Sequence, residues 1–551
     1  MTYKYLDSKR ISGLSTDGTA TSGGWKELGR TTIQTAPTGS ATFSDDFTSD
    51  NWTDSDSNIV GVNTSTQVLD FKGKDANYDE VSYKSQTIGS KFVYRMKFNL
   101  STITQTGNTD SVRVTFGLSN AGDIAFTSAR DEVGIIMRVS STYNKFYAFT
   151  ADGAQLPYGG TDFSLTPATS TDYYLEIIAN EGTYTFNIYS DEYVTLTESE
   201  SITDTGLVLD KLVVRTSTST TTNNQAQGTV DDVEFWNNQT IGVVDDIEVS
   251  GLADKRYYMV LGSTTNGSGG GTQQSLQFNG DGASNYGRRY NSNGSEASSM
   301  ATRISTGANP ATSSLGYTVG YVANKSDKNK MVVSSGVDTY GSNAPSKYMA
   351  VGKWQNASDA INSITIHNPT SGNFDGGSEC IVLGYDPDDT HTDNFWTELK
   401  NVSGDGTSSF DTGSFALKKY LWIQVYIDRS GGSNNTEFTC GTGGSLDTGA
   451  NYARRINEDG GADETANMTA QSKMESATYG EEEFYNMFVL NTSTHSKIFT
   501  VKGNNSSSTQ SHILQASYKW VNNAQMNIFG VSSGGSNTLS TSSRIKVWGS
   551  D

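Results

Sequence analysis

The sequence predicts an all-β protein made of several β-sandwiches, and three observations predict it. Apolar and polar residues alternate with period two along many short runs, and no stretch of the first half keeps a 3.6-residue period over eleven residues. Hydrophobic residues make up only 34% of the 551-residue chain, yet Phe, Trp and Tyr reach 11%, so the cores are thin and aromatic rather than absent. The 57 glycines, with abundant Ser, Thr and Asn, then read as turns between strands.

Taken in order, residues 1–40 show little apolar periodicity, which predicts an attachment segment that orders only against a partner. Residues 41–245 read as one sandwich. Lys91 to Phe98, Ser111 to Phe116, Tyr173 to Ile178 and Thr183 to Tyr189 alternate as half-buried strands. Gly134 to Val139 and Lys145 to Phe149 read as a hairpin around Ser141-Thr142.

The second half is written twice. Asn285-Tyr286-Gly287-Arg288-Arg289 returns as Asn451-Tyr452-Ala453-Arg454-Arg455, and Lys353-Trp354 as Lys519-Trp520, each 166 residues later. Lys255-Arg256-Tyr257 matches Lys418-Lys419-Tyr420, and Ser378 to Gly384 matches Ser543 to Gly549. Matched points in one order with nearly constant offset mean a duplicated domain, far longer than a solenoid repeat. This places one copy at 246–390 and another at 391–551, with Asp386-Pro387-Asp388-Asp389 marking the linker. A second diverged copy suits binding or scaffolding better than catalysis, since a surface binder gains avidity from it.

Two sets of residues carry a resemblance. Phe43-Ser44-Asp45-Asp46-Phe47 with Asn51-Trp52, and the closing Val230-Asp231-Asp232-Val233-Glu234-Phe235-Trp236-Asn237, resemble the concanavalin-like lectin/glucanase family and its laminin-G-like sandwiches. Ile364 to Phe374, followed by Gly377-Ser378 and Ile381 to Gly384, resembles the end of β-sandwich modules in bacteriophage structural and tail proteins. A worn version recurs at Ile528 to Gly534. These resemblances imply a concanavalin-like sandwich followed by two jelly-roll-like copies.

Charge and cysteine content narrow the partners. The formal charge of -21 argues against nucleic acid and against insertion at anionic membranes, both of which need basic patches. No apolar run approaches a membrane span. Cys380 and Cys440 do not align in the repeat, which argues against a disulfide framework. The run Met1 to Arg10 lacks the apolar region of a signal peptide. An adhesive composition without an export signal sets the expectation of a virion surface protein, assembled in the host cytoplasm and exposed on release.

Catalytic signals are sparse. Glycoside hydrolysis needs two carboxylates about 5–9.5 Å apart; no Glu-x-Asp-x-x-Glu run occurs, and Glu132, Glu176, Asp191 and Glu192 read as isolated, solvated carboxylates. Gly530-Val531-Ser532-Ser533-Gly534 fits a nucleophile elbow only in letters, since that motif needs a helix behind it. The four histidines show no ligand spacing.

The chain is therefore expected not to be an enzyme. Arginine grips carboxylated sugars in bidentate fashion, which makes Arg288 and Arg454 candidate glycan contacts, against the alternative that they tie loops inside the sandwich. Tyr158 beside Gly159-Gly160 and Tyr340 beside Gly341 are candidate contacts in glycine loops. The repeated Trp354 and Trp520 read as core.

No cofactor is required, but a calcium ion is possible. Asp45, Asp46, Asp231 and Asp232 would meet where the first sandwich's end strands pair. Asp54 and Asp56 carry the alternating oxygens of a calcium loop without its glycine or distal glutamate. Structural turn duty is the competing role.

The expected function is a virion structural protein, of tail-fibre, spike or capsid-associated type, that attaches to host surface glycan. Its other expected partners are virion proteins, reached through the N-terminal segment, and further copies of itself in a homo-oligomer. The alternatives are a purely structural decoration protein, a polysaccharide-degrading hydrolase and a cellular adhesin.

Overall fold

A computed structural model describes residues 24–551 apart from 75–78, 107–110, 123–128, 155–159, 219–223, 240, 243, 268–270, 308–313, 340–343, 430–434, 475–481, 507–510 and 536. Every regular element among these residues is a β-strand, and the sheets are antiparallel. The chain is an all-β assembly of β-sandwiches. It divides into two compact units, Gln34–Gly242 and a second unit holding the N-terminal residues to Ile33 together with Val243–Asp551.

The Gln34–Gly242 unit is a two-sheet sandwich. One sheet runs in the order Leu196–Thr203, Thr183–Tyr189, Asp172–Asn180, Lys91–Thr104, Gln225–Asn237, Val68–Lys74, Val60–Asn63, with Phe43–Asp45 also pairing Gln225–Asn237. The facing sheet is centred on Arg130–Val139, Val112–Ser119 and Lys211–Thr218. Alternate residues of both sheets fill one core, where Phe98 stacks on Phe116 at 4.7 Å and on Tyr173 at 5.1 Å. The thin aromatic core follows from this layering, since two facing sheets leave about 10 Å for side chains.

The two copies share one strand order. The large sheet of the first is Lys26–Thr32, Glu379–Tyr385, Tyr257–Thr265, Leu315–Ala323, Lys330–Asp338, Ser346–Trp354, Tyr286–Ser292, Ser295–Ala301. That of the second is Thr397–Ser403, Arg544–Ser550, Tyr420–Asp428, Glu482–Leu490, Lys497–Ser506, Ser511–Trp520, Tyr452–Glu458, Glu464–Thr469. Each large sheet is backed by a smaller one. Trp354 pairs with Tyr286 and Trp520 with Tyr452 in the same register. Each Trp is buried and donates its Nε1–H to an aspartate, Asp281 at 2.7 Å and Asp447 at 2.8 Å. Those aspartates also accept from Asn285 and Asn451, which explains why Asn-Tyr and Lys-Trp recur together.

Two expectations are corrected here. The segment before residue 41 is not wholly an attachment tail, because Lys26–Thr32 forms the edge strand of the first copy's large sheet. Residues 1–23 lie outside the described residues. The sandwiches also do not simply follow one another, since residues 34–242 are inserted within the first copy after its first strand. The sequence signal was available: Trp25-Lys26-Glu27-Leu28 matches Trp396-Thr397-Glu398-Leu399. Both strands carry a register shift at the same place, Glu27/Gly29 and Glu398/Lys400. Both leucines lie over a glycine, Gly384 or Gly549, where a Cβ would come within 2.5 or 2.7 Å.

The copies pack on each other through their large sheets. An aromatic cluster joins Met259, Tyr317 and Leu383 of the first to Trp396, Trp422, Phe488 and Trp548 of the second. Tyr321 and Phe488 hold the same register position in their copies and lie 6.2 Å apart. Contact between equivalent residues is the mark of a two-fold, isologous packing.

Candidate functional site

The inserted sandwich carries a hollow of about 560 Å³ lined by Ser44, Asp45, Asp46, Lys97, Tyr174, Glu192, Tyr193, Asp232, Val233 and Glu234. It forms where the sandwich's first and last strands meet, since Asp45 pairs with Val233. Its walls come from irregular backbone. The strand Gln225–Asn237 bulges between Asp231 and Glu234, and Asp232 takes φ 48° there. Tyr193 sits at φ 56° in the turn after Thr183–Tyr189, held by Asp191, which accepts from Thr195 N at 2.6 Å and Thr195 Oγ1 at 2.8 Å. A left-handed tyrosine is a costly conformation, and such strain persists where surrounding structure holds it.

The support beneath Tyr193 is an ion-paired network. The Arg95 guanidinium lies 4.2 Å from the centre of the Tyr193 ring and binds Glu176 at 2.6 and 2.7 Å. Glu176 accepts further bonds from Asn187 at 2.9 Å and Tyr189 at 2.7 Å. Tyr174 and Tyr189 stand edge-on to Tyr193 at 5.5 and 5.8 Å. Burial, with the neighbouring Asp232 and Glu192, pushes the Glu234 carboxyl up, against the pull of Arg95. Burial and Asp232 likewise raise Asp231. The pocket thus offers aromatic faces, carboxylate acceptors and one ammonium group at Lys97, a set suited to a polyhydroxylated ligand.

The expectation of solvated carboxylates is corrected for two residues. Glu176 is buried against Arg95, and Glu132, on the facing sheet, is buried against Arg215 at 2.6 Å with Arg130 at 3.8 Å. A carboxylate this deep needs a paired cation, which short-range sequence pattern cannot show.

The calcium candidates are brought only partly together. Asp45, Asp46 and Asp232 line the pocket and Asp231 lies beside it. Asp45 accepts from Phe47 N and Trp52 Nε1, Asp46 from Thr48, and Asp231 from Asp232 N. Asp56 accepts from Asn58, and Asp54 lies in the short strand Thr53–Asp54. Among the described residues no group of three or more His, Cys, Asp or Glu side chains is placed to hold a metal ion. Turn duty accounts for Asp45, Asp46, Asp56 and Asp231.

Of the glycan candidates, Tyr158 and Tyr340 lie outside the described residues. Arg288 bonds Ser299 at 3.1 Å and also Ser305, and Arg454 is buried against Glu464. Both arginines tie strands within their own copy. Tyr174 and Lys97 were missed because period-two alternation marks them only as outward-facing strand residues, and Tyr193 because it lies in a turn that carries no periodic signal.

No protein-family model matches the chain, and no curated sequence relative does. Among solved structures it is similar to a pseudo β-1,3-glucanase of Mycobacterium tuberculosis, at 12% identity over 36% of this chain and 100% of that one, TM-score 0.26. It is also similar to the CBM2 module of the evolved Dit of Lactobacillus casei BL23 phage J-1, at 12% identity over 39% and 98%, TM-score 0.26. A legume lectin-like domain from Entamoeba histolytica matches at 13% identity over 34% and 91%, TM-score 0.26.

Proposed function

We propose that this chain is a glycan-binding attachment protein of a virion surface, in which the inserted sandwich holds the sugar. The observation that carries the reading is the Tyr193 pocket, where strained backbone and the Arg95–Glu176 network present tyrosine faces beside carboxylate acceptors. Aromatic faces and a few placed polar groups are what a sugar site needs. Glu132 and Glu176 are each paired with arginine and stand on opposite sheets, so these two do not form a catalytic carboxylate pair. The virion setting rests on the resemblance of the closing hairpins to phage structural modules. Homo-oligomers would make a weak site effective by raising local concentration.

The test is a glycan array probed with the full chain, then affinity measurement on the best ligand. Tyr193→Asn keeps the left-handed backbone but removes the ring; it is expected to weaken binding at least tenfold and, since the ring packs on Arg95, Tyr174 and Tyr189, to lower the melting temperature modestly while the chain stays folded. No glycan bound, or equal affinity in the variant, overturns the reading. Antibody labelling of intact particles tests the virion setting, with surface labelling expected.

A further inference from the structure

Water-facing strands of this chain are written mostly in polar residues, as in the edge strand Leu196–Thr203, which reads Leu-Thr-Glu-Ser-Glu-Ser-Ile-Thr. The outer face of the first copy's large sheet departs from this. Val332 and Trp354 turn into the core, so Met331, Val333 and Val351 between them turn outward. Val333 and Val351 are cross-strand neighbours, 43% and 50% exposed. One row further along, Met331 pairs with Lys353, Lys353 with Gly287, and Gly287 with Met300. Both methionines are 52% exposed. Met300 and Lys353 close over Gly287, where a Cβ would meet the Met300 sulfur at 3.5 Å and the Lys353 chain at 3.8 Å. The result is one apolar surface across four adjacent strands.

This surface continues an interface already present. Along Lys330–Asp338 the outward positions are Met331, Val333, Ser335 and Val337. Val337 is buried in the cluster shared with the second copy, and the cover ends before Val333. In the second copy the positions of Met331, Val333 and Val351 hold Ile498, Thr500 and Ser517, none more than 4% exposed. At the two valines the open copy is thus more apolar than the covered one, the reverse of what contact with water selects. Contiguous exposed apolar surface marks a contact site, and methionine is enriched at interfaces.

Precedent and charge say what covers it. The module already packs this sheet face on a sheet of its own kind, through Ile498, Phe488 and Trp422. The net charge of -21 makes two copies repel wherever carboxylates are in surplus. On this surface the charges are Lys353 and Arg289, the latter paired with Glu296. Asp459, across the neighbouring cleft, is bound by His512 and the Ile513 amide. The surface therefore lets two acidic copies meet, whereas a basic foreign partner would be drawn to acidic surface elsewhere.

We propose that this face is the dimer interface between two copies of the chain, with a two-fold axis setting the Met331, Val333 and Val351 patch of each against the same patch of the other. The inference does not rest on the Tyr193 pocket.

Sedimentation equilibrium of the full chain tests it, with a dimer expected at micromolar concentration. Val351→Lys and Met331→Glu add opposite charges, and each is expected to weaken the dimer at least tenfold. Both replace side chains half exposed in the single chain, so strand circular dichroism and cooperative melting are expected to persist. Val208→Lys, at an exposed apolar residue of the inserted sandwich, is the control and is expected to leave the dimer intact. Tyr193→Asn is likewise expected to leave it intact, and Val351→Lys to keep the affinity for a single sugar, so the two readings fail separately. A monomeric parent, an oligomer of another size, a dimer undiminished in either interface variant, or one weakened equally by Val208→Lys overturns the proposal.

Discussion

In the second copy the edge strand Thr397–Ser403 leads directly into the rest of its module, whereas in the first copy Lys26–Thr32 is separated from its sheet partners by the whole inserted sandwich. The two strands nevertheless dock alike. Each carries a register shift at one position, each lays a leucine over a glycine, and each follows a tryptophan packed into the inter-copy cluster. Side-chain complementarity at the docking strand, and not chain continuity, therefore sets the module. An insertion at the end of an edge strand adds loop-closure entropy, which grows only with the logarithm of length. The copies differ at the end of that strand, where the first copy takes the insertion and the second does not.

The comparison breaks most severely at the repeated tryptophans. Trp354→Ala and Trp520→Ala should each destabilise by about 3–5 kcal/mol, since each removes a buried ring and its aspartate bond. Calorimetric melting should show similar losses for the two, and a large inequality would mean that the copies do not use the position alike.

A difference between the copies gives the next effect. Glu379 has no carboxylate counterpart, because the matching position in the second copy is Arg544. Burial alone would raise the Glu379 carboxyl, but Lys419, Tyr420 and Arg30 hold it below its usual value. Its contribution is therefore complete above the unfolded-state value and is lost as pH falls through the lower folded one. Glu379→Gln should cost about 2 kcal/mol near neutral pH, discounted for the partly exposed Lys419 and Arg30. Melting of the variant and the parent should converge as pH drops below 4, and an unchanged gap there would exclude the pairing.

The smallest effect sharpens the likeness. The equivalent turns Asn293-Gly294 and Asp459-Gly460 both place two residues at positive φ, with the glycines at 88° and 74°. Gly294→Ala and Gly460→Ala should each cost about 1–2 kcal/mol, and unequal costs would show that one turn is held by its surroundings. Treatment with EDTA should leave both glycan affinity and melting temperature unchanged, and a drop in either would restore a calcium role for Asp45 and Asp46.

Much of the fold was legible because strand alternation is a local signal. The hairpin pairing Arg130–Val139 with Asn144–Ala154 is found where alternation and a Ser-Thr turn placed it. The duplication was legible because Trp354 and Trp520 need the same aspartate and tyrosine neighbours in both copies. The insertion was overlooked although Trp25-x-Glu27-Leu28 repeats as Trp396-x-Glu398-Leu399, since so short a match carries little weight away from its sheet.

By itself, the sequence determined the strand content, the aromatic cores and the repeated module, because backbone pleat and turn chemistry act over a few residues. Only the tertiary structure decided that Lys26–Thr32 closes the first copy, that Glu132 and Glu176 are held by arginines, and that Tyr193 is bent over Arg95. Each of these depends on groups brought together from distant parts of the chain, where packing, desolvation and charge pairing act through space and leave no local pattern.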